Sequence, residues 1–368
     1  MSDKKIRIGI IGVGQIGKHH LDNYAKIPAV ELVAASDVNA AELKRVADQY
    51  KIPNTHESFR DLLKRDDIVA VDVCLHNNFH APMTIAALEA GKHVYCEKPM
   101  AGAYADARAM AEAAARCKRM LHIQLGLLYN KETKVAKRLI DEGKLGKVYH
   151  ARSTGYRRRG RPFVDGYGTP SFVKKEAAGG GALFDCGVYN ISRILYLLGQ
   201  PKVERISGKT YQETDMDAGR RQSSGYNVEE LGLGLVRFAG GVTMDIIESW
   251  AIHLNAFESS YVVGSAGGVR LDPFSFHSTF SDIEMNSTFE LDRTDWRWHQ
   301  LCETESAYDS SQQHWTAALQ GRVPLLPTAA IALQTSLISE AIYLSDQLGR
   351  EVTADEVEKL SKSTAIKA

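Results

Sequence analysis

The stretch "IRIGIIGVGQIGKHH" (Ile6–His20) decides how this chain begins to fold. Its first residues form a near-continuous apolar run, as expected of a parallel strand buried on both faces. Gly12, Gly14 and Gly17 follow, and then a helical pattern begins. In such a turn the first glycine permits the tight bend and the second lets a pyrophosphate approach the backbone. The third lets helix and strand pack closely, with the phosphate over the helix N-terminus. A glycine triplet alone is weak evidence; its place between strand and helix makes it specific. Gly12, Gly14, Gln15, Ile16 and Gly17 are therefore read as the phosphate-binding segment of a dinucleotide site. Asp37 ends the next apolar run, "VELVAASD", at the spacing of the acidic residue that accepts ribose hydroxyls. An acid there repels the extra phosphate of NADP, so NAD is the expected cofactor.

Outward from that stretch, short apolar runs alternate with helical patterns to about residue 125: "IVAVDVCL", "HAPMTIAALEAG", "KHVYCEK", "YADARAMAEAAARC" and "RMLHIQLG". This is the signature of an α/β Rossmann domain with a doubly wound parallel sheet, assigned to residues 1–125. Beyond it a helix, "NKETKVAKRLIDEG", precedes alternating strand candidates such as "KVYHARSTGY", "LGLGLVRF" and "VTMDIIESW". Period-two alternation predicts an open, mostly antiparallel sheet with one face buried, in an α+β domain over 126–350. Residues 351–368 read as a charged, solvated tail.

The 368 residues carry 45 Lys plus Arg against 45 Asp plus Glu, so no net field favours nucleic acid or an anionic membrane. Five cysteines (Cys74, Cys96, Cys117, Cys186, Cys302) are scattered without a CxxC pair, which argues for reduced thiols and against structural zinc. No apolar run approaches a membrane span, and the N-terminal one lacks a signal-peptide cleavage site. A cytoplasmic protein without a resident metal is expected.

Two further motifs carry chemistry. "HVYCEKPM" ends an apolar run of the first sheet, and in open α/β sheets ligands lie beyond the C-terminal strand ends. A Lys-Pro at a strand end is commonly a solvated turn; the other reading has Lys98, held extended by Pro99, aimed at the reacting end of the cleft, where it can stabilise an alkoxide. In "AGGGALFDCGVYNISRILYLLG" (178–199) an apolar helical stripe runs beside a polar one of Asp185, Tyr189 and Ser192. A half-buried Tyr beside such a stripe is commonly a packing residue.

"GVGQIG", "AALEAGKHVYCEKP", "LHNNFHAPM" and "GGGALFDCGVY" together resemble the glucose–fructose oxidoreductase / inositol dehydrogenase / rhizopine-catabolism (Gfo/Idh/MocA) family over nearly the whole chain. The resemblance implies nicotinamide-dependent oxidation or reduction of a secondary hydroxyl on a sugar, glycoside or cyclitol. It also implies a homo-oligomer, dimer or tetramer, formed through the second sheet. The family's catalytic lysine falls on Lys98 and its EKP glutamate on Glu97. Its cofactor loop falls on Leu75, His76, Asn77 and His80, with Leu75-His76 in place of the usual Thr-Pro. Most relatives carry histidine where Tyr189 stands and aspartate where Ser192 stands, while a smaller branch carries tyrosine at that point.

Tyr189 is then the expected proton-transfer residue, with Asp185 gripping a neighbouring hydroxyl or orienting the tyrosine. A neighbouring Lys⁺ is expected to pull the phenol's pKa down, and Gly179–Gly181 to leave room for substrate and cofactor. The favoured activity is an NAD-dependent dehydrogenase, with a glycoside C3 hydroxyl as the family-based choice. The alternatives are NAD-assisted glycoside cleavage through transient oxidation, and a non-catalytic NAD-binding sensor. The basic run "YRRRGRP" (156–162) reads first as a solvated loop and second as a substrate lid. "DWRWH" (295–299) and Tyr308 read either as a sugar-stacking wall or as core or interface. His19-His20 and the His76/His80 pair lack the partners of a metal site.

Overall fold

The computed structural model describes residues 5–301 and 308–367, which leaves Cys302 outside the description. Six short strands form the first sheet: β1 (Ile6–Ile11), β2 (Val30–Ser36), β3 (Thr55–His56), β4 (Ala70–Val73), β5 (His93–Cys96) and β6 (Leu121–Ile123). They lie in the order β3-β2-β1-β4-β5-β6, all parallel. The strand order reverses beside β1, so the carboxyl ends of β1 and β4 flank a crevice. Ile10 and Ile11, consecutive and so on opposite faces of the strand, are both buried, which is why β1 reads as an unbroken apolar run. Each such side chain contributes about 1.5–3 kcal/mol relative to an exposed one. The short β3, an edge strand of two residues, had no sequence signal of its own.

Nine strands form the second sheet: β7 (Val148–Tyr156), β8 (Val203–Tyr211), β9 (Leu231–Phe238), β10 (Thr243–Ser249), β11 (Tyr261–Gly264), β12 (Gly267–Leu271), β13 (Phe274–Phe280), β14 (Ile283–Ser287) and β15 (Val352–Thr353). Their order is β14-β13-β12-β11-β7-β10-β9-β8-β15, and among these pairs only β7 and β10 run parallel. The architecture is thus the α/β Rossmann unit and open, mostly antiparallel sheet that the sequence predicts. One face of the second sheet is covered by the helices Gly187–Leu198 and Thr328–Leu348, whose Ile191, Leu195, Ile338 and Ile342 are buried in the common core. Among the described residues the opposite face carries no covering helix, and Leu233, Leu235 and Ile247 stand half-buried on it.

The segment 351–368 is not a solvated tail. Val352 is fully buried in β15 and pairs with Ile206, and Thr353 and Glu356 form a capping box at the start of the helix Ala354–Leu360. Beyond that helix the Thr364 amide donates to Asp106 (2.8 Å) and the Ile366 amide to the Asn78 carbonyl (3.2 Å), so the chain returns to the first sheet's helices. The tail reads as polar because only one side of it is buried.

Candidate active site

The glycine loop joins β1 to the helix Gln15–Tyr24. Gly12 has φ +93°, and a Cβ there would lie 2.3 Å from the Cys74 carbonyl oxygen. A Cβ at Gly17 would lie 2.1 Å from the Gly12 carbonyl oxygen, so helix and strand meet at backbone distance. At Gly14 a Cβ would meet nothing within 4 Å. Gly14 is the N-cap and supplies no side-chain cap, which leaves the first amides of the helix open beneath that space. Gln15 and Ile16 lie exposed in the same turn. Asp37, half-buried at the end of β2, accepts the Val13 amide (2.9 Å) and the Asn39 amide (2.9 Å), which fixes its carboxylate beside the loop. These residues fit a dinucleotide: an anion seat on open amides, with an anchored acid at ribose distance from it.

The second cluster assembles where the two sheets' helices meet. Lys98 follows β5 and its peptide bond to Pro99 is cis. Its Nζ lies 2.9 Å from Asp185 Oδ1 and 4.6 Å from the centre of the Tyr189 ring. Asp185 ends the short helix Ala182–Asp185, and Tyr189 lies in the first turn of the helix Gly187–Leu198, so the two belong to consecutive segments joined at Cys186. Asp185 is held by more than Lys98. The fully buried Trp250 donates its Nε1–H to Asp185 Oδ2 (3.0 Å), and an Arg157 nitrogen approaches the same oxygen at 3.7 Å.

The electrostatics follow from this packing. Burial pushes the Lys98 ammonium down, but Asp185, Tyr189 and Glu97 outweigh it and hold its pKa well above the usual lysine value. Burial likewise pushes Asp185 up, and Lys98 and Arg157 reverse that and keep it below the usual carboxylate range. For Tyr189 burial wins over Lys98, and the phenol's pKa is raised. The expected lowering by Lys⁺ therefore does not prevail; Tyr189 is a neutral phenol at neutral pH.

The loop between β4 and the helix Asn77–Glu89 reaches the second half of the chain. Asn77 Nδ2 donates across the seam to the Ala178 carbonyl (2.7 Å), and the exposed His76 ring stands 6.1 Å from Phe172. His80 is fully buried and spans two carbonyls, Pro99 (2.7 Å) and Leu75 (3.0 Å). It ties the Lys98-Pro99 turn to the Leu75 loop. Glu97 is buried as well, its Oε2 accepting the Lys98 amide at 2.8 Å.

Three readings of the sequence are corrected here. The glycines 179–181 do not clear space for a ligand: Cβ atoms there would lie 2.3 Å from the Gly102 carbonyl oxygen, 2.3 Å from the Tyr343 hydroxyl and 1.9 Å from the Glu229 carbonyl oxygen. Ser192 leaves the polar stripe, being fully buried with its hydroxyl 2.9 Å from that of Thr335. "YRRRGRP" is not uniformly solvated: Arg161 is fully buried between Asp165 (3.0 Å) and Glu230 (3.0 Å), while Arg157 reaches Asp185. "DWRWH" forms part of the helix Leu291–Leu301, with Trp296 exposed and Trp298 near Arg138. Trp250 and Glu248 were missed. Trp250 ends the strand candidate "VTMDIIESW", and a buried indole N–H needs a partner. Glu248, buried beneath the helix Gly187–Leu198, holds Asn190 (3.0 Å) and Ser153 (3.0 Å), and burial pushes its carboxyl up to about 8.

An open glycine turn at the end of β1 and a lysine–tyrosine–aspartate cluster assembled between the two halves are features of a two-domain dinucleotide-dependent oxidoreductase. Residues 6–125 match the GFO/IDH/MocA description "oxidoreductase family, NAD-binding Rossmann fold", and residues 133–270 match the "GFO/IDH/MocA C-terminal domain". The chain belongs to the GFO/IDH/MocA oxidoreductase family. It is 26% identical over 360 residues to the D-glucoside 3-dehydrogenase of Escherichia coli K12, covering 96% of this chain and 98% of that one. It is 35% identical over 144 residues to the inositol 2-dehydrogenase of Salmonella typhimurium, 38% of this chain and 43% of that one. In fold it resembles levoglucosan dehydrogenase solved with NADH and levoglucosan, at a TM-score of 0.77 and 22% identity over 95% of this chain and 100% of that one. Among the described residues, no helix is long and apolar enough to cross a membrane.

Proposed function

We propose that this chain is an NAD-dependent dehydrogenase acting on a secondary hydroxyl of a sugar or glycoside, with the C3 hydroxyl of a glucoside as the first candidate. The observation that carries this reading is Lys98 paired to Asp185 at 2.9 Å with the Tyr189 ring beside it. The near full-length likeness to a D-glucoside 3-dehydrogenase supports the position on the sugar. Anchored Asp37 supports NAD over NADP, because an additional phosphate at the ribose would face a carboxylate.

The nicotinamide, when bound, supplies the hydride acceptor or donor. Lys98 donates a hydrogen bond to the reacting oxygen and stabilises negative charge on it. Tyr189 gives the proton to that oxygen when a ketone is reduced, and takes it back when the alcohol is oxidised. Asp185 keeps the Lys98 ammonium aimed and, with Trp250 on its second oxygen, keeps its own orientation. Because burial raises the pKa of Tyr189, the resting site is loaded with protons and suited to reduction at neutral pH. Oxidation needs the phenolate, so its rate climbs with pH while reduction falls. The same reading has copies of the chain meeting as a dimer or tetramer on the uncovered sheet face.

The test is NADH fluorescence during incubation with NAD and a panel of free sugars, cyclitols and aryl glycosides, run in both directions across neutral to alkaline pH. Steady NADH production from one class, with oxidation faster at the alkaline end, is expected. Glycoside cleavage without net NADH, or no turnover on any class, overturns it.

A further inference from the structure

Beneath Lys98 lies a buried charged group that the reaction scheme does not use. His20, on the helix that begins at the glycine loop, is fully buried. Its Nδ1 is 2.9 Å from Asp72 Oδ2 and its Nε2 is 2.9 Å from Glu97 Oε1. Asp72, on β4, is itself fully buried, and its other oxygen accepts the Cys74 thiol at 3.3 Å. Glu97 spends its other oxygen on the Lys98 amide. A neutral imidazole has one N–H and cannot donate to two carboxylates at once; an imidazolium can. Burial lowers the His20 pKa, but Asp72 outweighs it and holds the pKa well above the usual histidine value. Burial raises Glu97, and His20 and Lys98 together hold it below the usual range. The other groups facing the ring are the edge of Tyr95, with ring centres 5.5 Å apart, the neighbouring His19 ring at 6.4 Å, and the Cys74 sulfur 3.1 Å from Nδ1, whose thiol pKa burial raises.

The charges around Lys98 then balance: Asp72, Glu97 and Asp185 against His20, Lys98 and Arg157. Without the His20 charge, Glu97 would face Lys98 as its nearest cation, and the ammonium would be drawn from Asp185 and Tyr189. We propose that His20, held as an imidazolium between Asp72 and Glu97, is a positioning residue for Lys98. It neutralises Glu97 so that this carboxylate holds only the lysine's backbone N–H and leaves the ammonium to the substrate side. Since His20 lies one turn below the phosphate-binding glycines, the same contact ties the cofactor seat to the lysine. This inference rests on the catalytic role proposed for Lys98.

Long-range ¹H–¹⁵N NMR of the histidine rings in the wild-type protein tests the charge state without any substrate. Both His20 nitrogens are expected to stay protonated well above neutral pH; a neutral or metal-bound ring overturns the proposal. His20→Gln, and Asp72→Asn as the milder variant, should lower kcat about 10–100-fold while KM for the sugar and Kd for NADH stay within about threefold. In a Lys98→Met background, His20→Gln should cost nothing more, because both changes act on one group. Losses that multiply, or a His20→Gln enzyme with wild-type kcat beside an inactive Lys98→Met, sink the positioning role alone. A Lys98→Met enzyme with full turnover sinks the dehydrogenase mechanism, and the positioning role falls with it.

Discussion

A side chain added at Gly14 would meet no atom within 4 Å, whereas one added at Gly181 would lie 1.9 Å from the Glu229 carbonyl oxygen. Both positions belong to glycine-rich loops that run into helices, and in sequence the two loops invite the same reading. In the first, the absent side chain leaves open space above free amides, as an anion requires. In the second, protein fills the space: Gly102, Tyr343 and Glu229 pack against the three glycines. Glu229 also accepts the Gly181 amide (2.8 Å) and the Leu183 amide (2.9 Å), which sets the short helix that ends in Asp185. One loop leaves room for a ligand; the other holds the residue that holds the lysine.

The comparison breaks most visibly at the point both loops serve. Lys98→Met and Tyr189→Phe should each lower turnover about 10²–10³-fold with NADH binding retained, measured by steady-state kinetics and fluorescence titration. Arg157 and Trp250 still hold Asp185 in the lysine variant, so the folded state should persist. Next in size, Gly181→Ala should cost about 2–4 kcal/mol in a denaturant titration, since a backbone carbonyl has to move. If its stability matches wild type, the second loop is not packed as described. Smallest, Gly14→Ala should change stability by less than about 1 kcal/mol, its φ of −65° being ordinary for alanine, yet weaken NADH about tenfold. Normal NADH affinity in that variant would remove the phosphate from this loop.

The first half was legible because its signals are local. A buried strand, a glycine spacing and an acid at the next strand end lie within one stretch of chain, and each has a fixed steric reason. Lys98, Asp185 and Tyr189 were found from motifs, but their partners were not. Trp250 reaches Asp185 from 65 residues away and Asn77 reaches Ala178 from 101, and periodicity carries no information about such pairs. The strands β13 and β14 escaped because their buried pattern is sparse, with Ile283 and Phe280 exposed at the sheet's edge, and β12 because it opens on two glycines. Nor does the sequence tell that both His80 ring nitrogens meet main-chain carbonyls, since those partners carry no residue identity.

The seam described above, where Lys98 meets Asp185, Asn77 meets Ala178 and Gly102 meets Gly179, also bears on how such proteins could be recombined. The two sheets lie in successive halves of the chain but share one core, with Trp315 packed among Ile8 and Tyr95 of the first sheet, so exchanging halves between relatives is a route to new substrate ranges that has to respect this packing. The junction is where a chimera would succeed or fail. A donor half with a side chain at position 102 or 179, or a different partner for the lysine, would arrive folded and misaligned. Designers should therefore transplant these facing positions as pairs, treating them as one inherited unit that straddles the boundary.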